Sequence, residues 1–253
     1  PVRHGFHQDG GAQTLEYAYQ DFALAQMARA LGKENDYRTF MRRARNYSNL
    51  WHDEKQWMWV KDHDGSWREP FNVLAYGSGW VEGNAAQYTW FVPHDVAGLI
   101  RLMGSREKFT EKLNASFSTA QSHGFVSGKS HDVETTRQNR EVYINYGNQP
   151  SMQTAFLFNY SGSPWLTQYW TRQVIDSVYS GISPDRGYSG DEDQGLMGSL
   201  AVLLKTGIFS VSGGVAIDPV YEITSPAFER ITIHLNPAYY AGEKIVIEAS
   251  GTT

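Results

Sequence analysis

The chain has 253 residues, enough to bury a large core as one large domain or as a domain with a small appendage. Its 22 Lys and Arg against 27 Asp and Glu give a formal charge of −5 without a basic block, which argues against nucleic acid and anionic membranes as partners. The absence of cysteine excludes disulfides, thiolate metal sites and a cysteine nucleophile. Aromatic residues make up 14% of the chain, which favours either a large core or flat surfaces on which neutral sugar rings stack.

The chain begins Pro1-Val2-Arg3 with neither an initiator methionine nor a signal peptide, so we expect a processed product or a piece cut from a longer protein. No apolar stretch approaches the ~20 residues that a membrane-spanning helix needs. The cellular compartment therefore stays undetermined.

The N-terminal residues have the apolar spacing of two helices. Apolar side chains recur at close to helical intervals over residues 15–31, and Gly32 is a typical stop. Asn35 or Asp36 is placed to cap a second helix, in which apolar and aromatic residues recur over 37–51 as one buried stripe. We expect the two helices to form an antiparallel hairpin.

The pattern changes over residues 51–79. Asp64-Gly65 lies between aromatic runs there, which indicates a β-hairpin or a long ordered loop. Helical spacing then returns over residues 82–91 and again over residues 95–103.

The middle of the chain alternates helices with one long loop. Ser105 is placed to cap a helix that carries apolar residues at four-residue steps as far as Phe117. Residues 121–147 are polar and lack a period, which predicts a loop. Pro150 and Pro164 each suit the first turn of a further helix.

The acidic stretch at residues 190–195 is predicted to open the last helix. Beyond that helix, residues 231–235 and 244–248 alternate apolar and polar side chains with a period of two, as β-strands do. We therefore expect a helical domain over residues 1–207 and a small β unit over residues 208–253.

Three glycines mark the ends of helices in the helical part of the chain. Gly32, Gly104 and Gly162 each end one helix and lead into another, at intervals of roughly 60 to 70 residues. Helical hairpins joined by long loops are typical of a toroid, whose loops cluster at one end and build a site. A helical solenoid is the alternative, although its repeats are normally shorter and more alike. The predicted fold is mainly α, with toroid-type helical hairpins.

Glu82 lies among aromatic residues, including Trp80, Tyr88 and Trp90. A carboxyl group among aromatic rings is partly desolvated, which raises its pKa and keeps a proton available near neutral pH. Such a group suits a general acid. The alternative is an ordinary glutamate in the first turn of a helix, where the helix dipole favours negative charge.

The acidic stretch carries three consecutive carboxylates at residues 191–193, whose repulsion must be offset by water, a helix N-terminus, a cation or a raised pKa. An EF-hand is excluded, because Val202 stands where that loop has its bidentate glutamate. A calcium site of another kind stays open, with the amide oxygens of Asn148 and Gln149 as further candidate ligands. The histidines are scattered, so zinc is not favoured.

Two carboxylate centres bordered by aromatic residues are what glycoside hydrolysis requires, since one acid protonates the leaving oxygen and the other activates water or attacks the sugar. The three longest motifs that contain these residues are Glu82-Gly83-Asn84-Ala85-Ala86-Gln87-Tyr88-Thr89-Trp90-Phe91-Val92-Pro93-His94-Asp95, Gly147-Asn148-Gln149-Pro150-Ser151 and Gly190-Asp191-Glu192-Asp193-Gln194-Gly195. Shorter ones are Leu15-Glu16-Tyr17-Ala18-Tyr19 and Ser225-Pro226-Ala227-Phe228-Glu229. In this order they resemble the signature motifs of glycoside hydrolase family 92, whose members are exo-acting, Ca²⁺-dependent α-mannosidases.

The resemblance implies a partial (α/α)6 barrel, with a small C-terminal β unit, that hydrolyses terminal α-linked mannose from mannosides and N-glycans with inversion of configuration. The family's general acid falls on Glu82 and its base on Asp191 and Asp193, with about 6.5–9.5 Å between the carboxyl groups to admit a water molecule. Ca²⁺ would bind mannose hydroxyl groups, with Asn148 and Gln149 as candidate ligands. The candidate sugar contacts are Trp80, Asn84, Gln87, Tyr88 and Asn148.

The sequence departs from the family pattern at Ala86, where many members have an aromatic residue, at Gln149, where many have glutamate, and at Met152-Gln153, where many have two histidines. These changes bear on linkage preference and calcium affinity rather than on the type of reaction. Family members are also much longer and have an N-terminal β-sandwich that supplies part of the active site. Which α-linkage is cleaved, the oligomeric state and the role of Glu192 stay open.

Two alternatives to an active enzyme remain. The chain is a folded but catalytically silent scaffold if the N-terminal half of the site is required. Otherwise it is a carbohydrate-binding or helical interaction module whose carboxylates only cap helices. Activity of the isolated chain on mannobiosides decides the first alternative, and binding of calcium and mannose decides the second.

Overall fold

The computed structural model describes residues 5–7, 10–126, 142–183 and 196–251, and it confirms a mainly helical fold. The α-helices are α1 Gly11–Ala30, α2 Glu34–Arg43, α3 Ala85–Tyr88, α4 Val96–Leu102, α5 Arg106–Gln121, α6 Leu157–Tyr160, α7 Pro164–Val178 and α8 Leu196–Thr206. Short 3-10 helices span Ala44–Leu50, Gln149–Ser151 and Thr154–Phe156. Within these ranges, no helix combines the length and the apolar character needed to cross a membrane.

The strands form two-stranded antiparallel sheets. They are β1 Trp51–His52, β2 Trp57–Met58, β3 Ile208–Phe209, β4 Glu222–Ile223, β5 Arg230–His234 and β6 Lys244–Glu248. β1 pairs with β2, β3 with β4, and β5 with β6. In the β5–β6 hairpin the register runs from Arg230 opposite Glu248 to His234 opposite Lys244, so both predicted C-terminal strands are confirmed.

The first helical hairpin forms as predicted, because α2 packs back on α1 after a turn at Gly32, whose φ is 68°. The predicted cap of the second helix, Asn35 or Asp36, is wrong, whereas the predicted stripe is largely confirmed, because its later residues Ala44, Tyr47 and Trp51 are buried and its earlier ones are half-buried. Lys33 stands at the N-cap without a side-chain hydrogen bond, and no residue of α2 is buried. The helix tightens into a 3-10 helix from Ala44, and this change of geometry turns Tyr47 into the core.

Two predicted helices are much shorter than expected. The helix predicted over residues 82–91 is confined to α3, and Glu82 lies before it with a φ of 50°. The helix predicted to start at Pro150 breaks into 3-10 turns before α6. The break has a local cause, because the Ala155 N–H donates to the Tyr146 hydroxyl at 3.1 Å instead of to a carbonyl one helical turn back.

The remaining helix boundaries follow the predicted signals. Asp95 and Ser105 cap α4 and α5 by accepting hydrogen bonds from the backbone N–H groups of Gly98 and Lys108. Pro164 occupies the first turn of α7. The hairpin predicted at Asp64-Gly65 also forms: Lys61 bridges Trp67, and the Asp62 N–H donates to the Ser66 carbonyl at 2.9 Å.

The core is an aromatic cluster between α5, α7 and the segment 142–158. Phe117 stacks on Trp170 with ring centroids 5.1 Å apart, and Trp170 donates its indole N–H to Asn114 at 2.8 Å. On the neighbouring side, Trp90 meets Phe109 edge to face at 5.6 Å. These large rings are buried, so they fix how the helices pack.

The helices place short turns and long loops at opposite ends. At one end, which we call the turn end, the turn from α4 to α5 adjoins the turn from α6 to α7, and Thr110 donates a hydrogen bond to Ser161 at 2.7 Å. At the other end, the site end, the loop before α3 meets the segment that starts at residue 142. Two of the described loops therefore meet at the site end, and the clustering of long loops expected for a toroid stays a prediction.

The C-terminal segment packs on the helices through β3 and β4. Phe209 stacks on Phe156 with ring centroids 4.5 Å apart, and Arg172 of α7 donates to the Pro226 carbonyl at 3.0 Å. The β5–β6 hairpin is more exposed, and apolar side chains such as Ile245 and Val246 face solvent on it.

Candidate active site

Glu82 occupies a tight turn at the site end. Its φ of 50° lies in the left-handed region, which glutamate seldom adopts. The Gly77 N–H donates to the Gly83 carbonyl at 2.9 Å and closes the turn, while the Asn148 side-chain amide donates to the Glu82 carbonyl at 2.8 Å. Glu82 is half-buried and precedes the N-cap Asn84 by two residues, so it is not a first-turn helix glutamate.

Asn84 and Gln87 join the two loops of the site end. Both side chains are buried, and both donate to the Val142 carbonyl, at 3.3 Å and 2.8 Å. Asn84 also accepts a hydrogen bond from the Gln87 N–H at 3.0 Å, which caps α3. These amide groups therefore hold the loop before α3 against the segment that starts at Val142.

Trp80 and Tyr88 form a buried aromatic pair beneath the Glu82 turn. Their rings stack with centroids 5.4 Å apart, and the Tyr88 hydroxyl donates to the Val81 carbonyl at 2.8 Å. Burial raises the pKa of the Tyr88 phenol, and the nearby carboxylates of Glu16 and Glu82 raise that pKa further. The charges of both carboxylates therefore act on the same phenol.

The start of α1 packs directly against this pair. The Ala12 N–H donates to the Gly79 carbonyl at 3.0 Å. A Cβ atom on Gly11 would lie 2.6 Å from the Trp80 ring, so a side chain at Gly11 would displace the indole. One turn further along α1, Glu16 is half-buried, and burial raises the pKa of its carboxyl group. In the sequence, Glu16 belongs to the motif Leu15–Tyr19 and had no predicted role; an acidic residue between apolar Leu15 and aromatic Tyr17 was the available signal.

Asn148 caps a 3-10 helix and is buried. Its Oδ1 accepts a hydrogen bond from the Gln149 N–H at 2.8 Å, in addition to the bond that its amide donates to Glu82. Gln149 is half-buried beside it. Asp191, Asp193 and Glu192 lie outside the described residues, and so does the predicted spacing between the acid and the base.

The oxygen atoms of Asn148 and Gln149 are of the type that Ca²⁺ prefers, but they are too few to hold it alone, since Ca²⁺ takes about six to eight oxygen ligands. Within the described ranges, no three His, Cys, Asp or Glu side chains come together in a way that could hold a metal ion. The donor chemistry fits calcium, and the remaining ligands would have to come from outside the described residues or from sugar and water.

Met152 and Gln153 occupy the positions at which the resemblance predicts histidines. Both are buried, and the Gln153 amide donates to the carbonyl groups of Pro150 and Trp90, at 2.8 Å and 3.3 Å. Gln153 therefore braces the start of its own helix against Trp90. Ala86, the third departure, is fully buried in α3, where the packed core leaves no exposed surface.

Comparison with known proteins connects this geometry to a family of enzymes. A curated relative is an uncharacterised secreted glycosidase of Arthroderma benhamiae, which is 29% identical over 245 residues, with 88% of this chain and 28% of the relative covered. An α-mannosidase of glycoside hydrolase family 92 from Bacteroides thetaiotaomicron has a similar structure, with a TM-score of 0.81 at 33% identity over 98% of this chain and 31% of that enzyme. That enzyme is also known in complex with mannoimidazole.

A second neighbour is an inverting mannosidase of the same family from Bacteroides thetaiotaomicron. Its TM-score is 0.79 at 33% identity, and the match covers 98% of this chain and 34% of that enzyme. The chain thus spans about a third or less of the length of the relatives it matches. The family model described as the glycosyl hydrolase family 92 catalytic domain matches residues 1–253. The chain therefore belongs to glycoside hydrolase family 92.

Proposed function

We propose that the protein containing this chain hydrolyses terminal α-linked mannose from mannosides and N-glycans with inversion of configuration. The observation that carries the proposal is the presentation of Glu82 in a left-handed turn, held by Asn148 at the end of the fold where the long loops meet. Membership of the family and the mannosidase activity named for two structural neighbours support the choice of substrate.

Glu82 is proposed as the general acid that protonates the leaving glycosidic oxygen. A positive φ at a residue other than glycine costs free energy, so a fold retains it where the surroundings over-determine it, and such residues cluster at active sites. Here the Asn148 hydrogen bond and the Gly77–Gly83 closure hold the turn. These hydrogen bonds fix the Glu82 backbone without any contribution from α3.

Asp191 and Asp193 are proposed as the base function that activates the attacking water. Inversion needs the acid and the base on opposite sides of the sugar, about 6.5–9.5 Å apart. In sequence these carboxylates precede helix α8, and we expect its N-terminus to offset part of their negative charge.

Trp80, Asn84, Gln87, Tyr88 and Asn148 are proposed as the residues that shape the mannose site. Their side chains are buried; Trp80 stacks on Tyr88, and the other four are hydrogen-bonded within the chain, so we expect them to act mainly by fixing the loops that contact the sugar. Mannose-containing glycans are the proposed ligands, and nucleic acids and membranes are not expected as partners.

Ca²⁺ is proposed as the cofactor, with Asn148 and Gln149 among its ligands. When bound, the ion would supply positive charge at the sugar hydroxyl groups. Calorimetric titration of the metal-free protein with Ca²⁺ tests this directly, and chelation should abolish turnover. Absence of calcium binding, or turnover that persists in excess chelator, would remove the metal from the proposal.

The test of the acid is Glu82→Gln in the full-length protein, with Glu111→Gln as the matched control because Glu111 is an exposed glutamate near the turn end. The turnover number on α-mannobiosides should fall about 10²–10⁴-fold for Glu82→Gln and stay unchanged for the control. Aryl mannosides with good leaving groups need little protonation, so they should recover most of the loss. A variant with near-normal turnover on mannobiosides would refute the assignment. NMR detection of β-mannose as the first product tests inversion.

The helical hairpins are further proposed to be part of an (α/α)6 barrel, with residues 1–207 as its helical portion and residues 208–253 as an attached β segment. An N-terminal β-sandwich of the same protein is the proposed partner that completes the site. A second candidate, a silent scaffold, is favoured by the share of the relatives that this chain spans. Robust hydrolysis of mannobiosides by the 253-residue chain alone would refute silence.

A further inference from the structure

Glu16 is a half-buried carboxylate without a bonding partner in the described structure. It lies on the second turn of α1, and its side chain forms no hydrogen bond or ion pair with a described residue. Other part-buried acids of the chain behave differently: Asp21 is paired with Arg43 at 2.9 Å, and Asp95 accepts from Tyr47 at 2.7 Å. Glu16 therefore differs from the acids that stabilise the fold.

The position of Glu16 is defined by the contacts of α1. The helix starts on the Glu82 turn, since the Ala12 N–H bonds the Gly79 carbonyl and Gly11 abuts the Trp80 ring. Residues four apart share one helix face, so Glu16 lies on the same face of α1 as the buried Ala12. The carboxylates of Glu16 and Glu82 both raise the pKa of the Tyr88 phenol, whose hydroxyl donates to the carbonyl of Val81, the residue before Glu82.

A half-buried carboxylate without a donor costs stability, because removal from water is not offset by a bond. Natural proteins keep such groups chiefly where a ligand supplies the missing partner. Carboxylates that hydrogen-bond to sugar hydroxyl groups are common in carbohydrate sites because the charge strengthens each bond. A neutral sugar brings several hydroxyl donors and no competing charge, which suits a single carboxylate flanked by aromatic rings.

Resting on the proposed function, we propose that Glu16 is a substrate-binding residue of the active site, whose carboxylate accepts hydrogen bonds from hydroxyl groups of the mannose unit that Glu82 protonates. Glu82 acts on the leaving oxygen, whereas Glu16 holds the sugar ring. The two carboxylates therefore differ in their dependence on the leaving group.

The experiment compares Glu16→Gln with wild type and with the exposed-acid control Glu111→Gln in the full-length protein. We expect kcat/KM of Glu16→Gln to fall about 10-fold to 100-fold on every α-mannoside, whatever its leaving group, because the lost contact is to the retained ring. Glu82→Gln, in contrast, should recover on activated aryl mannosides. The melting temperature of Glu16→Gln should equal or exceed that of wild type, because the substitution removes a half-buried charge that no described residue pairs.

A set of monodeoxy mannosides identifies the contact. For the sugar that lacks the hydroxyl bonded by Glu16, wild type and Glu16→Gln should have similar kcat/KM, as in a double-mutant cycle. Unchanged kcat/KM on all mannosides, or a lower melting temperature that accounts for the loss, would overturn the assignment of Glu16. If the wild-type protein hydrolyses a different α-glycoside and no mannoside, the proposed mannosidase function is refuted. Comparing wild type with Glu16→Gln on that glycoside would still show whether Glu16 binds the sugar.

Discussion

At the scale of single residues, the candidate site depends on backbone positions that a helical pattern conceals. The sequence offered two interpretations of Glu82, a general acid and a first-turn helix glutamate, and the positive φ excludes the second. Asn84 was predicted as a sugar contact from its motif, and its side chain is engaged in capping α3 and bonding Val142. The motif thus identified the residues of the site. It could not show their hydrogen bonds, because these are made to a segment about sixty residues later in the chain.

Glu16 gives a pH-dependent prediction at this scale. Burial raises the pKa of its carboxyl group from the ordinary value of 4.5, so the folded protein binds the proton more tightly than the unfolded chain. Folding stability from this group is therefore complete below pH 4.5 and is lost as the pH rises through the raised pKa. Glu16→Gln should be at least as stable as wild type near neutral pH, with an advantage that disappears below about pH 4.5.

Denaturant unfolding of both proteins across this pH range measures the difference. Glu111→Gln is the control, because the exposed Glu111 should give a difference that is small at every pH. The neighbouring phenols of Tyr19 and Tyr88 have raised pKa values, so they stay protonated throughout the acidic range. A stability difference independent of pH would contradict the prediction.

At the scale of elements, local signals predicted ends of helices better than their lengths. Ser105 caps its helix as predicted, and Asp95, at which the helical pattern was predicted to resume, caps α4; a cap depends on neighbours within three residues. The predicted helix lengths were wrong where hydrogen bonds to other parts of the chain replace the helix's own backbone hydrogen bonds. At Ala155 the Tyr146 hydroxyl takes the N–H, and no periodicity within residues 150–162 could have shown this.

Asp95 carries an element-scale prediction. Its Oδ1 caps α4 through the Gly98 N–H at 2.8 Å, and its Oδ2 accepts from the Tyr47 hydroxyl at 2.7 Å. Asp95→Ala loses the cap and leaves a buried hydroxyl without an acceptor, so it should cost about 2 kcal/mol of unfolding free energy. Ser105→Ala, which loses only a cap, should cost about 1 kcal/mol.

A double-mutant cycle separates the two contributions. Tyr47→Phe should destabilise wild type by about 1 kcal/mol and have little further effect in the Asp95→Ala background. Ser105 takes no part in the hydrogen bond between Tyr47 and Asp95. The losses of unfolding free energy from Tyr47→Phe and Ser105→Ala should therefore add. Full additivity with Asp95→Ala would show that the short hydrogen bond contributes nothing to stability.

At the scale of the whole molecule, the short turns between helices were predictable, and the packing of the C-terminal strands was not. The glycines at positions 32, 104 and 162 indicated the turns, and each has a positive φ. By contrast, a period-two pattern identified β5 and β6 as strands without indicating what covers them. The described structure leaves most of their side chains exposed.

The exposed β5–β6 hairpin gives a prediction for hydrogen exchange. An isolated two-stranded sheet is marginally stable, so the hairpin should open without unfolding of the helices. In the 253-residue chain, amides of β5 and β6 should exchange much faster than those of α5 and α7, which enclose the aromatic core. Mass-spectrometric exchange resolves these segments. Equal protection in hairpin and helices would show that an additional contact secures the strands.

The turn end offers a practical consequence. A Cβ atom on Gly32 or Gly162 would meet no atom within 4 Å, and both residues lie at the opposite end of their helices from the Glu82 turn. Peptide tags or surface linkers inserted at these two turns would extend into solvent. A protein immobilised through either turn would present the Glu82 turn away from the support, so that large ligands could reach that end of the fold.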